Sequence, residues 1–318
     1  MTQATRWTST DIPDLTGTTA VVTGANSGLG LVTAEQLSRH GASVTLAVRD
    51  TQRGDTAAGN ILERNPQANV SVAALDLADL GSVRTFAEHW SAAHPAGLNL
   101  LVNNAGVMAL PRRESADGYE MQFATNHLGH FALTGLLLSS LVAAGAHQPS
   151  RVVTLSSQAH RMGRMNFADL QGVAKYRPWG AYGQSKLANL LFANELSRRL
   201  RLAALPVISL AAHPGYASTN LQSAGPRMKG SRWGERTTSV ANRLFGQSAE
   251  MGALPTLYAA TQPHLPSGVY IGPDGFGEQR GHPTLVGMTS AALNRADAEQ
   301  LWAVSEDLTQ VVYLDDER

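Results

Sequence analysis

From Thr18 onward, short apolar runs rich in β-branched residues alternate with longer segments of helical period. The run TAVVT (19–23) leads into a helix to His40, SVTLAV (43–48) into a helix to about Glu63, and VSVAAL (70–75) into a helix to about Ala93. LNLLV (98–102), RVVTL (151–155) and PVISL (206–210) continue the series. These runs are apolar throughout rather than alternately polar, the pattern of strands covered by helices on both faces. The rhythm predicts an α/β fold: a single-domain, Rossmann-like, doubly wound parallel sheet. No linker rich in proline, glycine or serine divides the chain, so one domain is expected over 15–318, after a loose arm over 1–14. Periodicity fails between Tyr216 and Ser248 in a polar, glycine-rich stretch, and an irregular segment of that length is expected to be a substrate lid.

Composition narrows the classes of function. The 318 residues are 43% hydrophobic, and 25 basic residues balance 25 acidic ones. That balance leaves no electrostatic footprint for nucleic acid, and RRLR at 198–201 reads as solvated helix surface. The absence of cysteine excludes disulfides, thiolate metal sites and cysteine nucleophiles. The N-terminal stretch is polar and lacks the apolar middle of a secretory signal. The apolar stretch at 131–146 is shorter than a bilayer span and reads as a buried helix. No membrane anchor is expected, and a cytoplasmic location is.

The turn after the first strand, VVTGANSGLG, places Gly24, Gly28 and Gly30 between strand and helix. A dinucleotide pyrophosphate needs such residues there, because it must approach backbone amides at a helix N-terminus. The GxxxGxG spacing departs from GxGxxG, so position carries the inference rather than the motif. At the end of the second strand, LAVRD puts Arg49 where a cation would bind a ribose 2′-phosphate, which favours NADP(H) over NAD(H). The alternatives are an ordinary surface arginine paired with Asp50, and Asp50 itself as the residue that holds a free ribose hydroxyl.

Further along, AYGQSKLANLLF places Tyr182 four positions before Lys186, on one face of a helix. A free phenol has a pKa near 10, and bringing it to about 7 takes roughly 4 kcal/mol of preferential stabilisation of the phenolate. An adjacent ammonium and an oxidised nicotinamide are expected to supply it, and the pair could then trade a proton with an alcohol or carbonyl oxygen. Ser156 and Ser157 end one strand, Asn103, Asn104 and Gly106 end another, and Asn126 lies in a long helix. Open α/β sheets bind their ligands at that edge. His127 and His130 are three apart, but no third ligand lies nearby, so they read as packed helix residues and no metal site is expected.

Taken in order, TGANSGLG, LDL at 75–77, NNAG at 103–106, YGQSK at 182–186 and HPGYAST at 213–219 resemble the short-chain dehydrogenase/reductase (SDR) family over about 18–220. NHLGHF, LSSQAH and SKLANLLF resemble its retinol dehydrogenase and protochlorophyllide reductase branch. The resemblance implies an oxidoreductase with Tyr182 as general acid or base, and with Lys186 lowering its pKa while holding the nicotinamide ribose. It also implies Ser157 on the substrate oxygen, with Ser156 as the fallback, and Asn126 supporting a proton-relaying water through its backbone. Gly24, Ser27, Gly28, Leu29, Gly30, Arg49, Asp76, Leu77, Asn103, Ala105, Gly106, Pro214, Gly215 and Thr219 would line the cofactor with Tyr182 and Lys186. The expected substrate is a hydrophobic carbonyl or alcohol, with reduction favoured; a retinol-like alcohol dehydrogenase or a non-catalytic NADP-binding sensor are the alternatives. His160, Met162, Tyr176, Trp179, Tyr216 and Met228 are candidates for an apolar substrate wall. Homodimers or homotetramers, built on the helices about 117–144 and 182–200, are compatible with the pattern.

Overall fold

A computed structural model describes residues 6–146, 148–216 and 247–313. Its centre is an eight-stranded sheet ordered β3-β2-β1-β4-β5-β6-β7-β8. The strands are β1 (Thr19–Thr23), β2 (Ser43–Val48), β3 (Asn69–Ala74), β4 (Leu100–Asn103), β5 (Ser150–Leu155), β6 (Val207–Ala212), β7 (Tyr270–Pro273) and β8 (Pro283–Leu285). Every neighbouring pair is parallel except β7 with β8. The chain order reverses between β1 and β4, the switch point at which such sheets open a ligand crevice.

Successive strand residues face opposite layers, and the core divides accordingly. Ala20, Val22, Leu46 and Val102 pack with α1 (Gly28–Arg39), α2 (Thr51–Arg64) and α8 (Ala249–Thr261). Val21, Ala47, Leu101 and Val152 face the other way, onto α3 (Leu80–Ala93), α5 (Gly129–Leu136), α6 (Leu138–Ala144) and α9 (Arg295–Thr309). The long helix α7 (Pro178–Leu202) lies on the second face and buries sixteen of its residues. A short α4 (Met121–Phe123) leads into α5 through a π turn at Ala124–Leu128.

Three features depart from the sequence reading. The arm is not loose in its described part: Trp7 packs edge-on against Tyr258, its carbonyl meets His282 Nδ1 at 3.0 Å, and Ile12 is buried. Strand β3 is a half-exposed edge rather than a strand covered on both faces. The sheet also gains β7 and an antiparallel β8, both too short to form a visible apolar run. Most of the expected lid, 216–248, lies outside the described residues.

Among the described residues, no single helix is long and apolar enough to cross a membrane. The pair Met121–Leu136 and Leu138–Ala144, bent by 54°, is long and apolar enough only when joined, and its Phe131, Leu133, Leu138 and Leu141 belong to the protein core.

Phe131 is the centre of an aromatic cluster, with ring centroids 4.8 Å from Tyr313, 5.1 Å from Trp302 and 5.6 Å from Phe192. Removing it leaves a cavity that these large rings cannot fill. Phe131→Ala is expected to cost about 3–5 kcal/mol, read as a lower urea midpoint with an unchanged slope. A loss below about 1 kcal/mol would contradict this account of the core.

Candidate active site

The C-terminal ends of β1, β4, β5 and β6 bring the predicted residues to one edge of the sheet. After β1 the chain turns through Gly24 and Gly28, with φ of 66° and 58°. Gly30 is needed for contact: a Cβ there would stand 2.4 Å from Asn104 Nδ2 and 2.7 Å from the Gly24 carbonyl oxygen. Asn104 is held in turn by Nδ2 donating to the Thr23 carbonyl at 2.7 Å. Ser27 caps α1 without a side-chain hydrogen bond to the helix, so the first turn of α1 keeps its backbone donors for a ligand. The turn therefore fits a pyrophosphate.

Arg49 follows β2, is exposed, and makes no hydrogen bond or ion pair among the described residues. Asp50 is not its partner, because it caps α2 by accepting from Arg53 N at 3.1 Å. Asp76 accepts from Ala78 N at 3.0 Å and is partly open. Two predicted residues turn their side chains inward. Leu77 puts its side chain into the core, and Asn103 is fully enclosed, its amide donating to Thr134 at 3.0 Å. Their side chains serve packing, while the NNAG turn reaches the edge through Ala105 and Gly106, both partly exposed. Pro214 and Gly215 follow β6, with Gly215 at φ 64°; Thr219 lies outside the described residues.

Tyr182 and Lys186 stand one turn apart on α7, only 6% and 4% exposed, with the ammonium 5.9 Å from the centre of the phenol ring. Lys186 Nζ donates to the Leu155 carbonyl at 3.1 Å. Close packing sets its surroundings: a Cβ on Gly106 would lie 3.1 Å from Asn126 Oδ1 and 3.5 Å from Lys186 Nζ. Asn126 Oδ1 accepts from Val107 N at 2.7 Å, and its Nδ2 donates to the Val107 carbonyl and to Ser185 Oγ, each at 2.9 Å.

The two adjacent serines separate cleanly. Ser156 is buried and donates to the Lys186 carbonyl at 2.8 Å, whereas Ser157 is partly open and its hydroxyl acts on the Tyr182 phenol. In the protein alone the phenol is not acidified. Burial raises the Tyr182 pKa, and the Ser157 hydroxyl opposes the rise by favouring the anion. Burial also lowers the pKa of Lys186 to about 8, and its ammonium, 5.9 Å from the centre of the phenol ring, donates to Leu155. The phenol is thus held protonated at neutral pH.

Of the proposed apolar wall, Trp179 lies edge-on to Tyr182 with ring centroids 6.0 Å apart and is 55% exposed, and Met162 is 64% exposed. Tyr176 is tied by its hydroxyl to Glu120, Gln122 and the Leu110 carbonyl, and His160 is buried against Tyr270, so both are structural. Met228 lies outside the described residues. A cavity of about 440 Å³ between Glu120, Arg164, Lys175 and Gln184 touches none of Ser157, Tyr182 or Lys186.

The sequence reading missed a clamp across this edge. Glu278 pairs with Arg161 at 2.8 Å and accepts from His213 Nε2 at 3.1 Å, holding the segment after Ser157 to the HPG turn. His213 Nδ1 accepts from Gly215 N at 3.2 Å, and burial lowers the ring's pKa to about 4. His127 meets Ser305 Oγ at 2.9 Å inside the core, a packing role.

Comparisons agree with this geometry. A family model described as short chain dehydrogenase matches residues 18–229. Mouse retinol dehydrogenase 12 is 40% identical over 306 residues, covering 95% of this chain and 88% of that protein. Mouse polyprenol dehydrogenase is 44% identical over 80% of this chain and 74% of its own length. A crystal structure of an uncharacterised protein from Mycobacterium paratuberculosis superposes with a TM-score of 0.79 at 44% identity, over 98% of this chain and all (100%) of that one. A structure from Beutenbergia cavernae, titled as an NAD(P) dependent gluconate 5-dehydrogenase with bound NADP, has a TM-score of 0.60 at 26% identity, over 78% of this chain and 91% of that one.

The lowered Lys186 pKa makes stability depend on pH. Between about 8 and the ordinary 10.5, the unfolded chain keeps a proton that the folded protein releases, so folding gains as pH rises through that window. The urea unfolding free energy of the wild type relative to Lys186→Met is expected to climb over this range. A flat difference would show that the ammonium is not buried as described.

Proposed function

Because the chain belongs to the short chain dehydrogenase family and is an oxidoreductase acting on CH–OH groups with NAD(P), we propose that it reduces the carbonyl of a hydrophobic small molecule with NADPH. The observation that carries this reading is the buried Tyr182 phenol, kept protonated by its burial and set between Ser157 and Lys186. When bound, the dinucleotide supplies or accepts the hydride. Tyr182 gives its hydroxyl proton to the carbonyl oxygen of the substrate, and Ser157 Oγ orients that oxygen by hydrogen bonding. Lys186 would hold the nicotinamide ribose, and its ammonium would place positive charge near the phenolate left behind. Asn126 braces Val107 and Ser185 around them and offers its backbone carbonyl to a proton-relaying water.

The choice of NADPH rests on Arg49, whose guanidinium has no protein partner among the described residues and suits a 2′-phosphate. The glycine turn and the first turn of α1 would take the pyrophosphate. A hydrophobic substrate is supported by the exposed apolar surfaces of Trp179 and Met162 and by relatives named for retinol and polyprenol. Those same names favour a second reading, oxidation of a retinol-like alcohol, which the same residues would run in reverse. The proposed setting is the cytoplasm.

Two substitutions test the reading. With a panel of apolar aldehydes and ketones, Tyr182→Phe is expected to lower NADPH turnover by about 10²–10⁴-fold while NADPH still binds; unchanged turnover would refute the role of the phenol. Cofactor bound without turnover of any carbonyl or alcohol by the wild type would instead point to a sensor. Arg49→Ala is expected to weaken NADPH binding by roughly 10–100-fold and NADH binding by much less. Equal losses for the two cofactors would refute the choice of NADPH.

A further inference from the structure

Thr23 closes β1, and its hydroxyl lies at a crossing of hydrogen bonds. The backbone N–H groups of Asn104 and Ala105 both donate to Thr23 Oγ1 at 2.9 Å, which uses its two acceptor positions. Its single proton can go to the Val102 carbonyl at 3.3 Å or to His130 Nε2 at 2.9 Å. Across the imidazole ring, His130 Nδ1 lies 3.1 Å from the Asn126 carbonyl oxygen, which has no proton to give. Nδ1 therefore carries the ring proton. With His130 only 1% exposed, burial lowers its pKa to about 4 and keeps the ring neutral, so Nε2 is bare and must accept. One arrangement satisfies every atom: Thr23 O–H donates to Nε2, and Nδ1–H donates to the Asn126 carbonyl.

Asn126 lies inside the π turn Ala124–Leu128, where Gly129 N reaches back to the Ala124 carbonyl and the helix is locally widened. Such turns recur at functional sites. The side chain of Asn126 grips Ser185, between Tyr182 and Lys186, and Val107 in the loop that follows β4. A carbonyl oxygen has two lone pairs; His130 takes one at Asn126 and thereby sets the direction of the other.

We propose that His130 is a positioning residue for the hydride-transfer reaction: it ties the Asn126 carbonyl to the end of β1, so that the strand bearing the glycine turn and the helix bearing Tyr182 and Lys186 keep one relative placement. The proposal rests on the function given above. His130 acts only through Thr23 and Asn126, and its loss would disturb proton delivery more than dinucleotide binding.

The test uses the full chain. His130→Phe removes both hydrogen bonds and is expected to lower kcat about tenfold, the worth of one such bond, with the Kd of NADPH changed less than about threefold. His130→Asn keeps an N–H close to the place of Nδ1 and is expected to recover most of kcat. Wild-type kcat in His130→Phe would overturn the proposal, as would kcat and NADPH affinity falling together without recovery in His130→Asn. Independently of turnover, ¹⁵N NMR of the wild type, with the His130 signals assigned by their loss in His130→Asn, is expected to show a protonated Nδ1 and a bare Nε2 at neutral pH. A protonated Nε2 would overturn the arrangement, whichever carbonyl is or is not reduced. Because that readout needs no substrate, failure here is distinguishable from failure of the functional reading, which Tyr182→Phe addresses.

Discussion

Two ionisable side chains, Tyr182 and Lys186, are buried together on one face of α7, and the organisation of the site follows from that constraint. Burial penalises charge on both: it raises the phenol's pKa and lowers that of the ammonium to about 8. At neutral pH the protein thus holds a proton donor beside a cation whose charge is weakly compensated. The Leu155 carbonyl accepts a hydrogen bond from the Lys186 ammonium, and Ser157 supplies a hydroxyl that favours the phenolate. A site of this kind stays poised until further positive charge, that of an oxidised nicotinamide, stabilises the anion.

The fold delivers these groups with backbone geometry more than with charge. Parallel strands end at a common edge, where Thr23, Asn103, Leu155 and Ala212 close β1, β4, β5 and β6. Close approaches fill the space between those ends: Gly30 against Asn104, Gly106 against Asn126 and Lys186. A side chain at either glycine would have to displace a group that holds the site. The widened turn at Ala124–Leu128 lets Asn126 reach Val107 and Ser185 at once, joining the edge of the sheet to α7.

Much of this was legible in the chain. The first six strands show as apolar runs because both layers of helix cover most of them, and the glycine turn, the Tyr–Lys spacing and Ser157 stand at the positions where the structure brings them together. What was not legible depends on partners distant in sequence. Trp7 finds His282 across 275 positions, which a polar N-terminal stretch cannot announce. Asn103 and Leu77 belong to motifs that resemble cofactor contacts, yet the core claims their side chains. The π turn reads as ordinary helix in ATNHL, and β8 is three residues that follow a glycine-rich loop. Nor was the raised pKa of Tyr182 in the protein alone legible: the Tyr–Lys spacing reports proximity, but not how strongly burial opposes both charges.

The central claim is that the phenol remains protonated in the protein alone and becomes acidic only when oxidised dinucleotide is bound. Its most direct test is a titration of the Tyr182 ring by NMR with ¹³Cζ-labelled tyrosine, the signal assigned from Tyr182→Phe, with and without NADP⁺. The account predicts a pKa above the ordinary 10 in the free protein and a clear fall when NADP⁺ binds. A phenol that titrates below 10 in the free protein, or one that NADP⁺ leaves unmoved, would contradict it.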